Sequence, residues 1–402
     1  MLSADDATST ADRDARGGFQ RHVVAIAGGL LLIALVLLMP DLEPALGGDA
    51  VVELAHARIV EIAPPAEEGA APTAVVEILD GPRAGQIIEA NVQGPPGQME
   101  PPDYAVGDEV VVTVNPATGE IAATVSDRWR IPALAGLALF FAIAVAVVGG
   151  WRGVRSLIAL ALTLAVVIKI LLPLIVAGWQ PVLLAVGCAS LVTLATLLLT
   201  EGWRSTTLAA VLGTFAALAL TAGLAVLTTG LADFSPAQGS EEAPLIGSIL
   251  GTAIDLRGLV LAAVILGALG VLDDVAVTQA ATVRELHRVD PGLGRRALFG
   301  RSLNVGRSHI AATVNTLVLA YIGVSLPLLV LLAAGGQDVL AISSTEAIAV
   351  EVVRALVGSL GIVAAVPLTT AIAVLLVRSG GHPAAAAPGD DAAPPTLLEG
   401  AV

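Results

Sequence analysis

The sequence predicts an all-α polytopic membrane bundle of about eight transmembrane helices with a small extracytoplasmic all-β insertion, an OB-like or SH3-like barrel. Of the 402 residues, 56% are hydrophobic and only 14% are charged, whereas soluble domains are nearer a quarter charged. Apolar runs of about 20 residues, the length that crosses a bilayer core, recur along the chain. One segment near the N-terminus instead alternates apolar with polar residues, which is typical of strands.

Eight stretches have the length and composition of membrane spans. The first two are near the lower limit of about 17 residues, and the first also resembles the core of a signal peptide. No small-x-small cleavage site follows in "LMPDLEP", so we expect an uncleaved anchor. The predicted spans are Val23–Met39, Pro132–Val148, Ser156–Ala177, Pro181–Thr200, Thr206–Gly230, Gly258–Val283, His309–Ala333 and Ala355–Val377.

Arginines in the short loops predict the orientation. With eight spans, every arginine-rich loop falls on one side, and the loops "GWQ" and "GGQDVLAISSTEAIAVEVVR" on the other side are poor in base. We therefore expect both termini to be cytoplasmic. The arginines on the predicted cytoplasmic side are Arg13, Arg16, Arg21, Arg152, Arg155, Arg204, Arg284, Arg288, Arg295, Arg296, Arg301, Arg307 and Arg378.

The same count places residues 41–131 outside as the β insertion. "VVELAHARIVEI", "TAVVEILDGPRAGQIIEANV" and "YAVGDEVVVTVN" predict four or five short strands, separated by turn clusters such as "DGPRAG". The segment is acidic, which indicates a solvated surface or, alternatively, a means of concentrating cations. We expect a seven-span helical domain over 132–377, and disordered cytoplasmic tails over 1–22 and 378–402.

Composition and motifs exclude several function classes. A net charge of −15 argues against nucleic acid as a partner, because phosphate binding needs a basic surface. The single cysteine, Cys188, excludes an intrachain disulfide. The sequence has no GxSxG, no zinc-type histidine spacing and no Walker motif. We therefore expect no enzyme activity and no cofactor other than a proton or cation; the expected partners are the lipid bilayer, a small solute or ion, and an envelope protein or a second copy.

Two adjacent acids lie in the sixth predicted span, within "GALGVLDDVAVTQAATVREL". A carboxylate in hydrocarbon costs at least about 2.5–3.5 kcal/mol on insertion scales, so Asp273 and Asp274 need a reason to be there. At 1.5 Å per residue, Asp273 lies roughly 22 Å from the outer boundary of a core about 30 Å thick. A functional site in the cytoplasmic third is favoured, and the polar end of a helix is the alternative.

Other polar residues fall at the same predicted depth. Asp274 shares a helix face with Thr278, and Asn315 and Thr316 of the seventh span lie roughly 10 Å from the cytoplasmic side. Oxygen-rich sites of this kind suit protons or hard cations. The predicted ion or substrate site therefore comprises Asp273, Asp274, Thr278, Asn315 and Thr316, with His309 nearer its mouth.

A second set of polar groups lies at the opposite depth. The lone lysine, Lys169, is nearest in depth to Glu351 and Arg354, and these form a predicted secondary polar site. A snorkelling or pore-side lysine is the alternative. Pro173, Gly270 and Pro367 predict breaks in the helices. Two stripes of threonines follow helical spacing. Such stripes are typical of helix packing, and the lining of a transport pathway is the alternative. The stripes are Thr193, Thr196 and Thr200, and Thr207, Thr214, Thr221 and Thr228.

These segments resemble the YibE/F-like multi-pass membrane proteins. The likeness rests on "LGALGVLDDVAVTQAATVREL" (Leu266–Leu286), on Arg301–Leu331, and on "VEVVRALVGSLGIVAAVPLTTAIA" (Val350–Ala373). The β insertion after a first anchor helix is also similar to the family. The resemblance implies a bacterial inner-membrane protein of the same helix plan, and it implies no activity or substrate.

The sequence leaves three candidate functions. The first is a secondary transporter or permease, in which the aspartate pair binds the coupling proton or cation. The second is a non-catalytic assembly or envelope-sensing protein, in which the β domain binds a partner. The third is an intramembrane enzyme, which is disfavoured because aspartyl proteolysis needs two facing acids and these are neighbours on one helix.

Overall fold

The chain divides into two compact units, Met1–Trp179 with Glu242–Asp255 and Gln180–Glu241 with Leu256–Val402. The first unit holds a barrel and the long helical stretch that follows it, and the second holds a bundle of helices. The predicted tails lie outside the described residues. The computed structural model describes residues 27–34, 36–38, 53–63, 72–92, 103–115, 122–234, 254–336 and 338–377.

The β insertion forms a closed barrel of five strands in the order β1-β2-β3-β5-β4. Every neighbouring pair is antiparallel except β3 and β5, which run parallel. Of the two predicted barrel types, this strand order is the OB-like one. Closure pairs every strand on both sides and so protects its edges. The strands are β1 Glu53–Ala63, β2 Thr73–Ile78, β3 Ile87–Val92, β4 Glu109–Asn115 and β5 Ala122–Arg128.

Alternation in the strand sequences builds the barrel core. In β2, "TAVVEI", every second side chain is buried, as period-two patterning requires. Ala57, Val76, Val112 and Val125 have no exposed surface and pack in one apolar cluster. The predicted strands are therefore confirmed by a core that belongs to the barrel itself.

A 46-residue apolar stretch follows the barrel, made of α1 (Ile131–Val166), a π-helical turn (Val167–Leu171) and α2 (Leu172–Val176). At 1.5 Å per residue it would be about 69 Å long if straight, more than twice a bilayer core of about 30 Å. It is not straight, because Gly150 has φ 53° and ψ −139°, a conformation that favours glycine. This break lies between the predicted second and third spans.

The packing around Gly150 shows how sharp the break is. A Cβ on Gly153 would lie 2.1 Å from the carbonyl oxygen of Val145. In a straight helix, residues eight apart are separated by about 12 Å. The chain therefore folds back within α1, as expected for two consecutive spans.

The second unit is a helical bundle. Its helices α4, α5 and α9 pack against one another, α3 packs on α4 and α5, and α6 packs on α5 and α9. The close approach of α4 and α9 depends on glycine, because a Cβ on Gly213 would lie 2.1 Å from Thr369 Oγ1. The helices are α3 Pro181–Glu201, α4 Ser205–Leu231, α5 Leu256–Val289, α6 Arg295–Val324, α7 Leu326–Ala334, α8 Val339–Ser343 and α9 Glu346–Leu376.

Two of these helices begin many residues before the predicted spans. Helix α6 begins at Arg295 instead of His309, and α9 begins at Glu346 instead of Ala355. Helices α6 and α7 are bent by 61°, because a proline at the start of α7 cannot continue the hydrogen bonding of α6. Hydropathy marks the apolar part of a helix, whereas the backbone hydrogen bonds continue into polar sequence.

Of the three predicted helix breaks, one coincides with an irregular turn in the structure and two do not. Pro173 lacks an amide hydrogen and its ring crowds the carbonyl of the residue four earlier, Lys169. The π-helical turn, which contains Lys169, widens the helix where this crowding falls. The breaks predicted at Gly270 and Pro367 are wrong, since both residues lie within continuous helices, α5 and α9.

Among the described residues, five helices are long and apolar enough to cross a membrane, or six if the bent pair α6 and α7 forms one span. The protein is therefore a multi-pass membrane protein. The total of eight spans stays a prediction. Of the first predicted span, residues 27–34 and 36–37 are described and helical.

Candidate functional site

The carboxylate of Asp273 lies in the second unit, where α3 and α4 pack on α5. Thr193 of α3 donates its hydroxyl to this carboxylate, with Oγ1 at 3.0 Å from Oδ1 and 3.1 Å from Oδ2. Thr193 is fully buried and Asp273 is half-buried. Since one hydroxyl hydrogen is shared between two oxygens, the carboxylate retains unused acceptor capacity.

Helix α4 contributes a second hydroxyl. Thr214, which is fully buried, lies beside the Asp273 carboxylate, but its Oγ1 has no hydrogen bond of normal geometry among the described residues. The contact is therefore close without being an aligned hydrogen bond. Because a hydroxyl rotates freely between donor and acceptor roles, Thr214 is able to bind either the carboxylate or a ligand next to it.

The three residues Asp273, Thr193 and Thr214 form what we call the Asp273 cluster. Within the described part of the chain, no arginine or lysine forms an ion pair with Asp273, and no group of three His, Cys, Asp or Glu side chains could hold a metal ion. The cluster offers one carboxylate and two hydroxyl groups, which is an oxygen-rich set of the kind that suits a proton or a hard cation.

The structure does not bring the other predicted site residues to this cluster. Asp274 and Thr278 are exposed on another face of α5, and Asn315 and Thr316 are exposed on α6. The hydroxyl of Thr316 donates to the carbonyl of Ala312, in its own helix. His309 is half-buried, and its Nε2 has no partner among the described residues.

The predicted depth of these α6 residues is nevertheless consistent with the packing. Helix α6 runs antiparallel along α5, since Ser302 contacts Gln279 and Tyr321 approaches Gly267. Residues near Asn315 therefore lie level with Asp273. Asp273 hydrogen-bonds to Thr193 of α3, whereas Asn315 is exposed on α6.

The residues of the predicted secondary polar site belong to two different units. Glu351 and Arg354 form an ion pair on α9, with 2.6 Å between Oε1 and Nη1. Glu351 Oε2 and Arg354 Nε are buried without a hydrogen-bond partner among the described residues. Lys169 belongs to the first unit, in its π-helical turn.

Sequence reasoning missed a buried glutamine on α5. Gln279 is 3% exposed, and its Nε2 donates to the carbonyl of Ser302 at 2.9 Å and to Thr370 Oγ1 at 2.7 Å. A Cβ on Gly306 would lie 2.7 Å from Gln279 Oε1, so the glycine makes room for the amide. The sequence did contain a signal for its burial, because Gln279 lies on the same face of the helix as the apolar residues Leu272 and Ala276.

A small cleft, here named the α3–α5 cleft, opens near the Asp273 cluster. Leu197, Ala210 and Val277, which line it, each lie about one helical turn from Thr193, Thr214 and Asp273 respectively. The cleft extends to the end of the unit where α3 ends and α4 begins. We call this the base-rich end, because Arg204 and Arg284 lie there. The residues lining the cleft are Leu197, Glu201, Thr206, Thr207, Ala210, Val277, Ala281 and Arg284.

Comparison with known proteins bears on the family and not on the site. No curated protein and no solved structure matches the chain. The sequence model of the YibE/F-like protein family matches residues 137–379, which is more than half of the chain and includes α3 to α9 with the Asp273 cluster. The chain therefore belongs to the YibE/F-like protein family.

Proposed function

We propose that the protein is a secondary transporter or permease of the bacterial inner membrane, coupled to a proton or cation that binds at Asp273. One observation carries the proposal: a half-buried carboxylate in an apolar helix bundle is held by a threonine hydroxyl and not by a basic side chain of the described residues. An ionised carboxylate in such surroundings is costly unless it is paired. Uptake of a proton or cation neutralises it, and release restores the charge.

The proposed coupling site contains fewer residues than the site predicted from the sequence. Coupling is assigned to Asp273, with Thr193 and Thr214 as the neighbouring hydroxyls, instead of to an aspartate pair. Asp274 is exposed on another face of α5. No catalytic role is proposed, since Asp273 faces hydroxyl groups where aspartyl proteolysis would need a second carboxylate.

The α3–α5 cleft supports a route to the cluster. In the predicted orientation, the base-rich end faces the cytoplasm, because its arginines include Arg204 and Arg284. The cleft begins at this end with Glu201 and Arg284 and ends one turn from Asp273. A proton or cation would therefore reach Asp273 from the cytoplasmic side.

Thermal stability of the purified protein in detergent tests the assignment. The melting temperature is measured across pH and with Na⁺, K⁺, Mg²⁺, Ca²⁺, Mn²⁺ or Zn²⁺, for the wild type, Asp273→Asn and Asp274→Asn. A ligand that binds only the folded protein raises its stability. We expect one ion, or a change in pH, to shift the wild type and Asp274→Asn but not Asp273→Asn.

The two variants are matched, because they are neighbours on one helix and lose the same charge. If both variants lose the shift, or both keep it, the assignment to Asp273 is wrong. If neither an ion nor pH shifts the wild type, ion coupling fails as a whole.

A second candidate is a non-catalytic envelope assembly or sensing protein. The observation that favours it is the OB-like barrel, a module that uses a strand face and loops to bind extended ligands in other proteins. Deleting residues 42–130 separates the candidates. A sensing protein would lose its cellular phenotype, whereas a permease would keep the ion-dependent stabilisation of its helical unit.

A further inference from the structure

An apolar groove runs between α3 and α4 next to their connecting turn. It encloses about 650 Å³ of space, part of it open to the surroundings. Its walls are leucines from both helices and a valine from α4, and its polar residues lie at the turn and in the first turn of α4. We call it the α3–α4 groove, and the residues lining it are Leu194, Leu198, Trp203, Arg204, Ser205, Thr207, Leu208 and Val211.

The polar end of this groove has the features of an anion site. Helix α4 begins at Ser205, and its N-cap residue, Arg204, makes no side-chain capping hydrogen bond. The first intrahelical bond runs from the amide of Leu208 to the carbonyl of Arg204, so the preceding amides have no partner within the helix. The helix dipole adds partial positive charge at this point, beside the exposed Arg204 guanidinium.

A buried hydroxyl provides an independent indication of a ligand. Thr207 is 3% exposed and lines the groove. Its Oγ1 has no hydrogen-bond partner among the described residues. A buried hydroxyl that is left unpaired is unfavourable, so a ligand oxygen that accepted a hydrogen bond from Thr207 would stabilise the folded protein with its ligand.

The walls indicate that the ligand also has an apolar part. Leu194 and Leu198 face the groove from α3, and Leu208 and Val211 face it from α4. A free phosphate would leave these side chains uncovered, whereas an acyl chain would cover them. Trp203 is 87% exposed at the turn, and tryptophan is enriched at the level of lipid headgroups. The acid Glu201 lines the α3–α5 cleft and not this groove.

We infer that the α3–α4 groove binds an anionic phospholipid, with the phosphate at Arg204, the first amides of α4 and Thr207, and one acyl chain between the leucines. The groove contains none of the three residues of the Asp273 cluster, although it shares Thr207 with the α3–α5 cleft. Basic pockets between membrane helices are a known way to recognise anionic headgroups. Here the recognition depends on a single arginine and a helix N-terminus, so we expect modest affinity and a preference for net negative charge.

Native mass spectrometry and thermal stability of the full chain in detergent test the inference. Dioleoyl phosphatidylglycerol is compared with dioleoyl phosphatidylcholine, which has the same chains, and with inorganic phosphate. We expect phosphatidylglycerol to bind and to raise the melting temperature more than phosphatidylcholine does, by about fivefold in affinity, the effect of one surface arginine. Phosphate alone should give no shift.

Variants locate the site. Arg204→Gln should remove the preference for phosphatidylglycerol, and Thr207→Val should weaken binding of both phospholipids. The control Arg296→Gln removes an exposed arginine from the base-rich end without touching the groove, and should keep the preference.

Three outcomes would overturn the inference. Equal binding of the two phospholipids would show ordinary lipid contact. An equal shift with inorganic phosphate would make the ligand a free anion. Loss of the preference in Arg296→Gln would make the effect one of general charge. Since Arg204 is exposed, its substitution should leave the melting temperature without lipid unchanged, which confirms that the variant folds.

Discussion

Asp273 and Asp274 show how strongly one step along a helix changes the surroundings of a side chain. Adjacent residues point about 100° apart, and here the first carboxylate turns toward Thr193 whereas the second is exposed. The sequence predicted that an acid would lie in the span, because the surrounding residues are apolar. It could not identify the partner, because Thr193 is 80 residues away and its stripe is typical of ordinary packing.

Most threonines in those stripes do follow the packing prediction. The hydroxyls of Thr196, Thr200, Thr221 and Thr228 donate to carbonyls of their own helices, as threonines in helices commonly do. Thr193 differs because a carboxylate from another helix lies within reach. The sequence does not separate the two cases, since both need only a hydroxyl at helical spacing.

The substitution Gly213→Ala tests the packing of α4 against α9. In Gly213→Ala, the Cβ would lie 2.1 Å from Thr369 Oγ1 and 3.0 Å from Thr369 Cα, so α4 and α9 must separate. Overpacking of this kind costs about 1–3 kcal/mol, and we expect a lower melting temperature in detergent. The control is Gly223→Ala on the same helix, where nothing lies within 4 Å; it should be neutral or slightly stabilising, by up to about 1 kcal/mol. Equal melting temperatures for the two variants would contradict the packing.

At the scale of elements, local sequence patterns predicted whether a segment is a helix or a strand better than they predicted where it begins and ends. Alternation located the strands of the barrel, and apolar runs located the helices. The ends of α6 and α9 were misjudged because helical hydrogen bonding continues past the apolar residues into Arg295 and Glu346. The fold-back at Gly150 was predicted only as a loop between two spans, and the structure shows that a positive φ at a single glycine produces it.

The fold-back predicts that the segment after Gly150 is accessible from the cytoplasm. In a Cys188→Ala background, Arg152→Cys should react with a membrane-impermeant maleimide in inverted vesicles but not in intact spheroplasts. Val106→Cys, on the barrel and 65% exposed, should show the reverse. Reaction of Arg152→Cys in spheroplasts would show that the stretch before Gly150 does not cross the membrane.

At the scale of the whole molecule, the arginine distribution is the main constraint on orientation. An even number of spans returns the C-terminus to the side of the N-terminus, as the eight predicted spans require. Fluorescent protein fused to either terminus should therefore fold and fluoresce, which it does in the cytoplasm and not after export by the general secretory route. A fusion that is dark at one terminus and fluorescent at the other would mean an odd number of spans.

The sequence by itself determined the membrane class, the approximate position of each described helix of membrane-spanning length, the strands of the insertion and the presence of an acid within a span. Each of these depends on the chemistry of neighbouring residues, which period and hydropathy report directly. Only the tertiary structure decided that Asp273 meets Thr193 and Thr214, that Gln279 joins α5 to α6 and α9, and that β3 pairs with β5 in parallel. These contacts join residues far apart in the chain, and which helix faces another is fixed by the packing of the whole bundle.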